Sequence, residues 1–140
     1  MAQRVFATAE EYAAAAEELF DGTPEKLGKR LRSASIEVEK LTRLTMYDVD
    51  ADGYATDVDV RAAFTQATIA IVEYWDETDD PTGAVAAQGA VKIGSVSLGT
   101  TSSAASAAES SMGRLTNRIG ERALDILTTA GLRQSSVIHR

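Results

Sequence analysis

The chain has 140 residues, of which 44% are hydrophobic and 25% are charged, a composition typical of one soluble globular domain. It contains no cysteine, which excludes disulfides and thiolate sites, and its single histidine, His139, is next to last. Because the commonest general base and metal ligand is missing from the rest of the chain, the composition disfavours an enzyme. No apolar run is long enough for a membrane span, and we expect neither a membrane segment nor a signal peptide.

The formal net charge of −7 is concentrated in the middle of the chain. Residues 1–46 carry eight acids and seven bases, residues 47–80 carry ten acids and Arg61 alone, and residues 81–140 carry three acids and six bases. An acidic surface repels the phosphate backbone of nucleic acids. We therefore expect no sequence-specific binding of nucleic acid.

Two capped helices are predicted before residue 47. The segment 8–11, Thr-Ala-Glu-Glu, has the spacing of a capping box and precedes apolar residues at helical spacing, and Asp21-Gly22 ends this first helix. Thr23-Pro24 supplies an N-cap and a proline at the first position of a second helix over 24–46. The apolar stripe of the second helix consists of Leu27, Leu31, Ala34, Val38, Leu41 and Thr45.

A third helix, capped by Thr56, is apolar on several faces, which predicts a central position in the fold. Its main stripe consists of Val60, Phe64, Ala67, Ile71, Tyr74 and Trp75. The two aromatic residues at the end of this stripe are expected in the core rather than in a ligand site. Four acids follow where the helix macrodipole disfavours negative charge: Asp76, Glu77, Asp79 and Asp80. This conflict indicates either a basic neighbour or an acidic surface with a function.

The pattern changes after Pro81. The segment Val91 to Leu98 predicts a β-strand or hairpin with a bend at Gly94, and residues 99–113, of which 13 of 15 are small, predict a mobile loop. A last helix over 116–130 ends in Ala130-Gly131-Leu132, a stop of the Schellman type. The predicted fold class is mainly α, with one domain over 1–132 and a tail over 133–140. We expect a small bundle of about four helices with a short β-hairpin or strand insertion.

The loop between the second and third helices contains the sharpest motif in the chain. Its oxygen-bearing side chains match positions 1, 3, 5, 9 and 12 of an EF-hand loop: Asp48, Asp50, Asp52, Thr56 and Asp59. A calcium-binding helical module that uses these five residues is therefore one possible function. Position 12 is Asp rather than the usual Glu, and no second such loop is present. The other interpretation is a turn in which Asp side chains bind their own backbone.

An ordered set of short segments resembles the head-to-tail connector, or adaptor, proteins of tailed bacteriophages. The segments are Phe6 to Tyr12, Ala34-Ser35, Thr42-Arg43, Tyr47 to Gly53, Thr56-Asp57, Ala67-Thr68, Glu73 to Trp75, Asp80 to Gly83, Ile93 to Leu98 and Ala130 to Leu132. The resemblance implies a structural virion protein without a cofactor, synthesised in the host cytoplasm. It implies a ring of about twelve subunits with an axial DNA channel, placed between the portal protein and a downstream neck or tail-completion protein.

This resemblance, combined with the charge pattern, leads to expectations about contacts. The bases Arg114, Arg118 and Arg122 are expected to pair with the acidic surface of a neighbouring subunit. The acids Asp76, Glu77, Asp79 and Asp80 are expected near the channel, because a basic wall would hold DNA phosphates. The tail is expected to bind the portal through Val137 and Ile138. Before assembly, like charge should leave the chain monomeric or weakly associating.

Overall fold

Five helices contain most of the residues that the computed structural model describes, which are 3–79, 81 and 113–133. They are α1 (Ala9–Ala15), α2 (Pro24–Leu41), α3 (Val58–Thr78), α4 (113–119) and α5 (Glu121–Thr129). The helices α2 and α5 pack against α3, and α1 contacts α2. The predicted mainly helical class is confirmed. The predicted strand at 91–98, nearly all of the loop at 99–113 and the tail beyond 133 lie outside the described residues.

The helix α1 begins as predicted but is shorter. The Thr8 hydroxyl accepts the backbone N–H of Glu11 at 3.1 Å, and the Glu11 carboxylate accepts the backbone N–H of Thr8 at 2.9 Å, which confirms the capping box. The backbone becomes extended at Ala16. Phe20 then packs edge-on against the ring of Tyr12, with centroids 6.0 Å apart. Phe20 is therefore partly buried against the core although the helix has already ended.

The helix α2 also begins as predicted and ends early. Thr23 caps it by accepting the backbone N–H of Lys26 at 3.1 Å. Its buried residues are Leu27, Leu31, Ala34, Ser35 and Val38. The predicted end at residue 46 is wrong: the helix ends at Leu41, and the chain turns over residues 42–44. The Thr45 hydroxyl donates to the carbonyl of Leu132, which fixes the turn against the end of α5.

The central position predicted for α3 is confirmed by its buried residues. These are Ala63, Phe64, Ala67, Thr68, Ile69, Ala70, Ile71, Val72 and Trp75. The N-cap is Asp57 rather than Thr56, and its Oδ1 accepts the backbone N–H groups of Asp59 and Val60 at 2.8 and 3.1 Å. At the other end the Trp75 indole N–H donates to the carbonyl of Arg118 at 2.6 Å. The expectation that Trp75 is a core residue is therefore confirmed.

The single helix predicted over 116–130 is divided at Gly120, between α4 and α5. Gly120 has a φ of 88°, and a Cβ added there would lie 2.9 Å from Cγ of Tyr74. The Tyr74 hydroxyl donates to the carbonyl of Asn117 at 2.9 Å, which holds the ring against this position. The break therefore follows from the close approach of an aromatic ring on α3.

The predicted stop at the end of α5 is confirmed. The N–H of Leu132 donates to the carbonyl of Leu127 at 2.9 Å, and the N–H of Gly131 donates to that of Thr128 at 3.0 Å. These are the two hydrogen bonds of a Schellman motif, in which Gly131 adopts a positive φ of 75°. Leu132 is buried and completes the end of the core.

Replacing Gly120 by Ala should lower the free energy of unfolding by about 1–3 kcal/mol, because the new Cβ is strained at positive φ and collides with Tyr74. Gly28→Ala is the matched control, since Gly28 lies inside α2 with nothing within 4 Å of an added Cβ. This control should be more stable by about 1 kcal/mol. Urea denaturation of both variants measures the difference. Equal stability of the two would contradict the assigned break.

Candidate functional site

The acidic loop between α2 and α3 is a compact turn built on Asp50. One carboxylate oxygen of Asp50 accepts the backbone N–H groups of Asp52 and Tyr54 at 2.9 and 3.0 Å. The Tyr54 amide is the largest of the influences that lower the pKa of Asp50. The backbone N–H of Asp50 donates to the carbonyl of Tyr54 at 2.8 Å, and an isolated β-bridge joins Val49 to Ala55. The side chain of Asp50 therefore stabilises its own turn.

The predicted calcium ligands all lie in the described residues: Asp48, Asp50, Asp52, Thr56 and Asp59. Within the described ranges, no group of three or more His, Cys, Asp or Glu is positioned to hold a metal ion. Thr56 instead donates its hydroxyl to the carbonyl of Asp48 at 3.4 Å, and Asp59 lies in the first turn of α3. The geometry gives the calcium-binding alternative no support.

The acids near the end of α3 hold the segment between α1 and α2. The backbone N–H of Asp21 donates to the carboxylate of Asp76 at 3.3 Å, and that of Glu17 donates to the carboxylate of Glu73 at 3.3 Å. Asp76 is half-buried, and its carboxylate binds a backbone amide of its own chain. Its predicted place near a channel stays a prediction. The sequence pattern gave no partner for Asp76, because the partner is a backbone amide 55 residues away.

The other residues predicted near the channel are Glu77, Asp79 and Asp80. Glu77 and Asp79 are exposed, and Asp79 ends α3 with a left-handed backbone at φ 51°. Asp80 lies outside the described residues. Within the described ranges, the exposed acids at this end of α3 are therefore Glu77 and Asp79.

Arg118 and Arg122, both predicted at an interface, form ion pairs within the chain. Arg118 Nη2 lies 3.0 Å from Glu37 Oε1, and Arg122 Nη1 lies 3.6 Å from Glu73 Oε1. The side chain of Arg118 is 34% exposed and that of Arg122 is 68% exposed. Arg118 therefore tethers α4 to α2, which the expected pairing with a neighbouring subunit did not anticipate. Arg114 lies in α4, whereas Val137 and Ile138 lie outside the described residues.

Two large apolar side chains just after α2, in a region that the sequence placed inside a helix, are strongly exposed. Leu44 is 74% exposed and Met46 is 95% exposed. Met46 also lines an open groove of about 790 Å³ together with Ile36, Lys40 and Arg43, among others. We call Ile36, Lys40, Arg43, Leu44 and Met46 the apolar corner. An exposed apolar patch bordered by charges is typical of an interaction site.

The sequence signal for the apolar corner was weak. Thr45 continues the apolar stripe of α2 by spacing, so the helical pattern extends past the true end of the helix at Leu41. Leu44 and Met46 fall off that stripe, which is the one indication that they have no place in the core. Their exposure becomes visible only when the end of α2 is known.

Comparison of the chain with protein-family models, with curated proteins and with solved structures finds no match. Among the described helices, none is both long enough and apolar enough to cross a membrane. A function therefore has to come from the surfaces of the chain itself and from its sequence resemblance.

Changing Arg118 to Glu should lower the free energy of unfolding by about 1–3 kcal/mol, because it sets a second carboxylate beside the half-buried Glu37. Arg122→Glu is the matched control, and its more exposed pair with Glu73 should make the effect smaller than about 1 kcal/mol. Denaturant unfolding of the two variants provides the comparison. A larger loss for Arg122→Glu would show that the Arg118 pair is not the structural one.

Alkaline pH should destabilise the fold through Tyr12. Burial raises the pKa of Tyr12 to about 12, and the negative charges of Asp76 and Glu73 act in the same direction. The folded state therefore favours the neutral phenol, and this contribution is complete below pH 10 and disappears as the pH rises from about 10 to about 12.

Tyr12→Phe keeps the buried ring and removes the ionisable group, so its stability should fall less steeply than that of the unmodified chain between pH 10 and 11. Urea denaturation at pH 9, 10 and 11 gives the slopes. Tyr54→Phe is the control that should retain the steep slope. Parallel curves for the unmodified chain and the Tyr12 variant would refute the assignment.

Proposed function

We propose that the chain is a non-enzymatic structural protein of a tailed-phage virion, a head-to-tail adaptor that binds the portal and forms a ring in the neck. The ordered resemblance over about residues 6–132 supports this proposal, and so does the mainly helical class. The β-hairpin expected around 91–98, the downstream neck or tail-completion partner and the axial DNA channel belong to the same proposal. A ring of about twelve copies fits the resemblance.

The observation that carries the proposal is the apolar corner. Leu44 is 74% exposed and Met46 is 95% exposed, although burying side chains of this size stabilises a protein by about 1.5–3 kcal/mol each. The core is complete without them, since the aliphatic stripe of α2, nearly all faces of α3 and the end of α5 are buried. A surface of this kind is suited to a contact with another protein chain.

The charge distribution is compatible with passage of DNA. Glu77 and Asp79 leave an acidic end on α3, and the chain as a whole carries a net charge of −7. Acidic surfaces do not hold phosphates, so DNA would move past such subunits without being retained. Asp80, next in sequence, extends this acidic run.

The test is co-sedimentation of the chain with portal rings of the phage or prophage that encodes it. The full chain should pellet with the rings, and deletion of residues 134–140 should abolish pelleting, because the tail is proposed to contact the portal through Val137 and Ile138. The deletion starts after the Schellman motif, so thermal unfolding of the free chain should stay nearly unchanged.

Leu19→Ser is the matched surface control for this test, because Leu19 is 84% exposed at a distance in sequence from the tail. It should bind portal rings like the unmodified chain. Failure of the full chain to bind rings would overturn the proposed function. Undiminished binding by the deleted chain would overturn the role of the tail.

A further inference from the structure

A second surface with an apolar floor lies between α3 and α5. This groove has a volume of about 450 Å³, and its floor includes Ala62, Ala63, Ile126 and Ala130. Asp59 and Asp125 lie on its rim, and Arg122 lines it beside its ion-pair partner Glu73. We call this surface the α3–α5 groove. The small side chains of its floor leave room for a larger apolar side chain.

The apolar corner and the α3–α5 groove are complementary. The corner offers two large apolar side chains next to Arg43, and its other charged neighbours include Asp48 and the ion-paired Lys40, Arg4 and Glu39. The groove offers mostly small apolar residues next to the anions Asp59 and Asp125, and its one arginine, Arg122, is paired with Glu73. Opposite charges around matching apolar surfaces fix the register of a contact and disfavour other partners.

The groove cannot be filled by the corner of the same chain. Thr45 is bonded to Leu132 at the end of α5, and in this position Leu44 and Met46 are left in water. A side chain from a corner that enters the groove must therefore come from another molecule. A second copy of this chain is such a molecule, because it carries the same apolar corner.

We infer that the apolar corner of one copy docks in the α3–α5 groove of a second copy. Leu44 and Met46 enter the groove, and Arg43 faces Asp59 and Asp125. This inference deepens the proposed function by naming the contact between subunits. Only the closure of the ring depends on the proposed function. Such a contact joins two different surfaces, so it repeats from copy to copy.

The contact should be weak between free copies. Each copy carries a net charge of −7, so long-range repulsion opposes the local attraction of Arg43 for the groove. We expect a dissociation constant on the order of 0.1–1 mM for the isolated chain. A method that traps the contact is therefore preferable to one that needs a stable dimer.

The absence of cysteine makes disulfide trapping specific. Two single-cysteine variants, Met46→Cys and Ala62→Cys, are mixed and mildly oxidised. Both positions are exposed, so neither variant should unfold the chain, and circular dichroism checks this. The mixed disulfide dimer should form about ten times more than the dimer of Leu19→Cys with Ala62→Cys, because a disulfide needs Cα atoms within about 7 Å.

A charge exchange tests the register. Arg43→Asp should reduce the mixed dimer about tenfold, and combining it with Asp59→Arg and Asp125→Arg on the Ala62→Cys partner should restore it. Leu44→Ser in the Met46→Cys chain should also reduce trapping, because it removes the neighbouring apolar contact. Trapping equal to the Leu19→Cys control, or a preference for dimers joined through two Met46→Cys chains, would overturn the inference.

Failure of this inference and failure of the proposed function are distinguishable. A chain that co-sediments with portal rings but gives no excess of mixed dimer keeps the adaptor function and loses the assigned contact. A chain that gives the mixed dimer but never binds portal rings keeps the contact and loses the adaptor function.

Discussion

Burial of α3 on several sides is the constraint on which the rest of the structure depends. The helices α2 and α5 pack on it, and Phe6 from the N-terminal segment stacks on Phe64 with centroids 4.8 Å apart. Because nearly every face of α3 is used for packing, surfaces free for partners lie on the outer faces of the other helices, at helix ends, in turns and in the shallow groove beside α5. The apolar corner and the exposed acids after residue 76 lie at such places. The packing of α3 therefore determines which surfaces belong to the core and which stay open to partners.

Elements that depend on residues close in sequence were predictable, whereas those that depend on tertiary contacts were not. The capping box at Thr8 and the glycine stop at Gly131 use residues within a few positions of one another, so their sequence pattern contains all the required groups. The end of α2 and the break at Gly120 depend on contacts with distant elements, namely the end of α5 and the ring of Tyr74. Periodicity alone cannot reveal either one, since it continues through both points.

The candidate site was predictable to a smaller degree. Alternate Asp residues before a Gly suit both a calcium loop and a self-stabilised turn, and the choice depends on whether the carboxylates point to a common centre. Asp50 points to its own backbone instead. Arg118 was expected to pair with a neighbouring subunit, whereas within the chain it binds Glu37, 81 residues away. Counting charges gives the sign of each residue but does not identify its ion-pair partner.

The hydrogen bond between Thr45 and Leu132 has a consequence for the order of assembly. It fixes the point at which the chain leaves α5 against the turn that carries Leu44 and Met46. A partner that binds at Leu132 would therefore lie beside the apolar corner. Copies held side by side on a symmetrical platform would meet at a high effective concentration, which compensates for a low affinity between free copies. In the proposed assembly, nucleation on the platform would then decide where and when a ring closes.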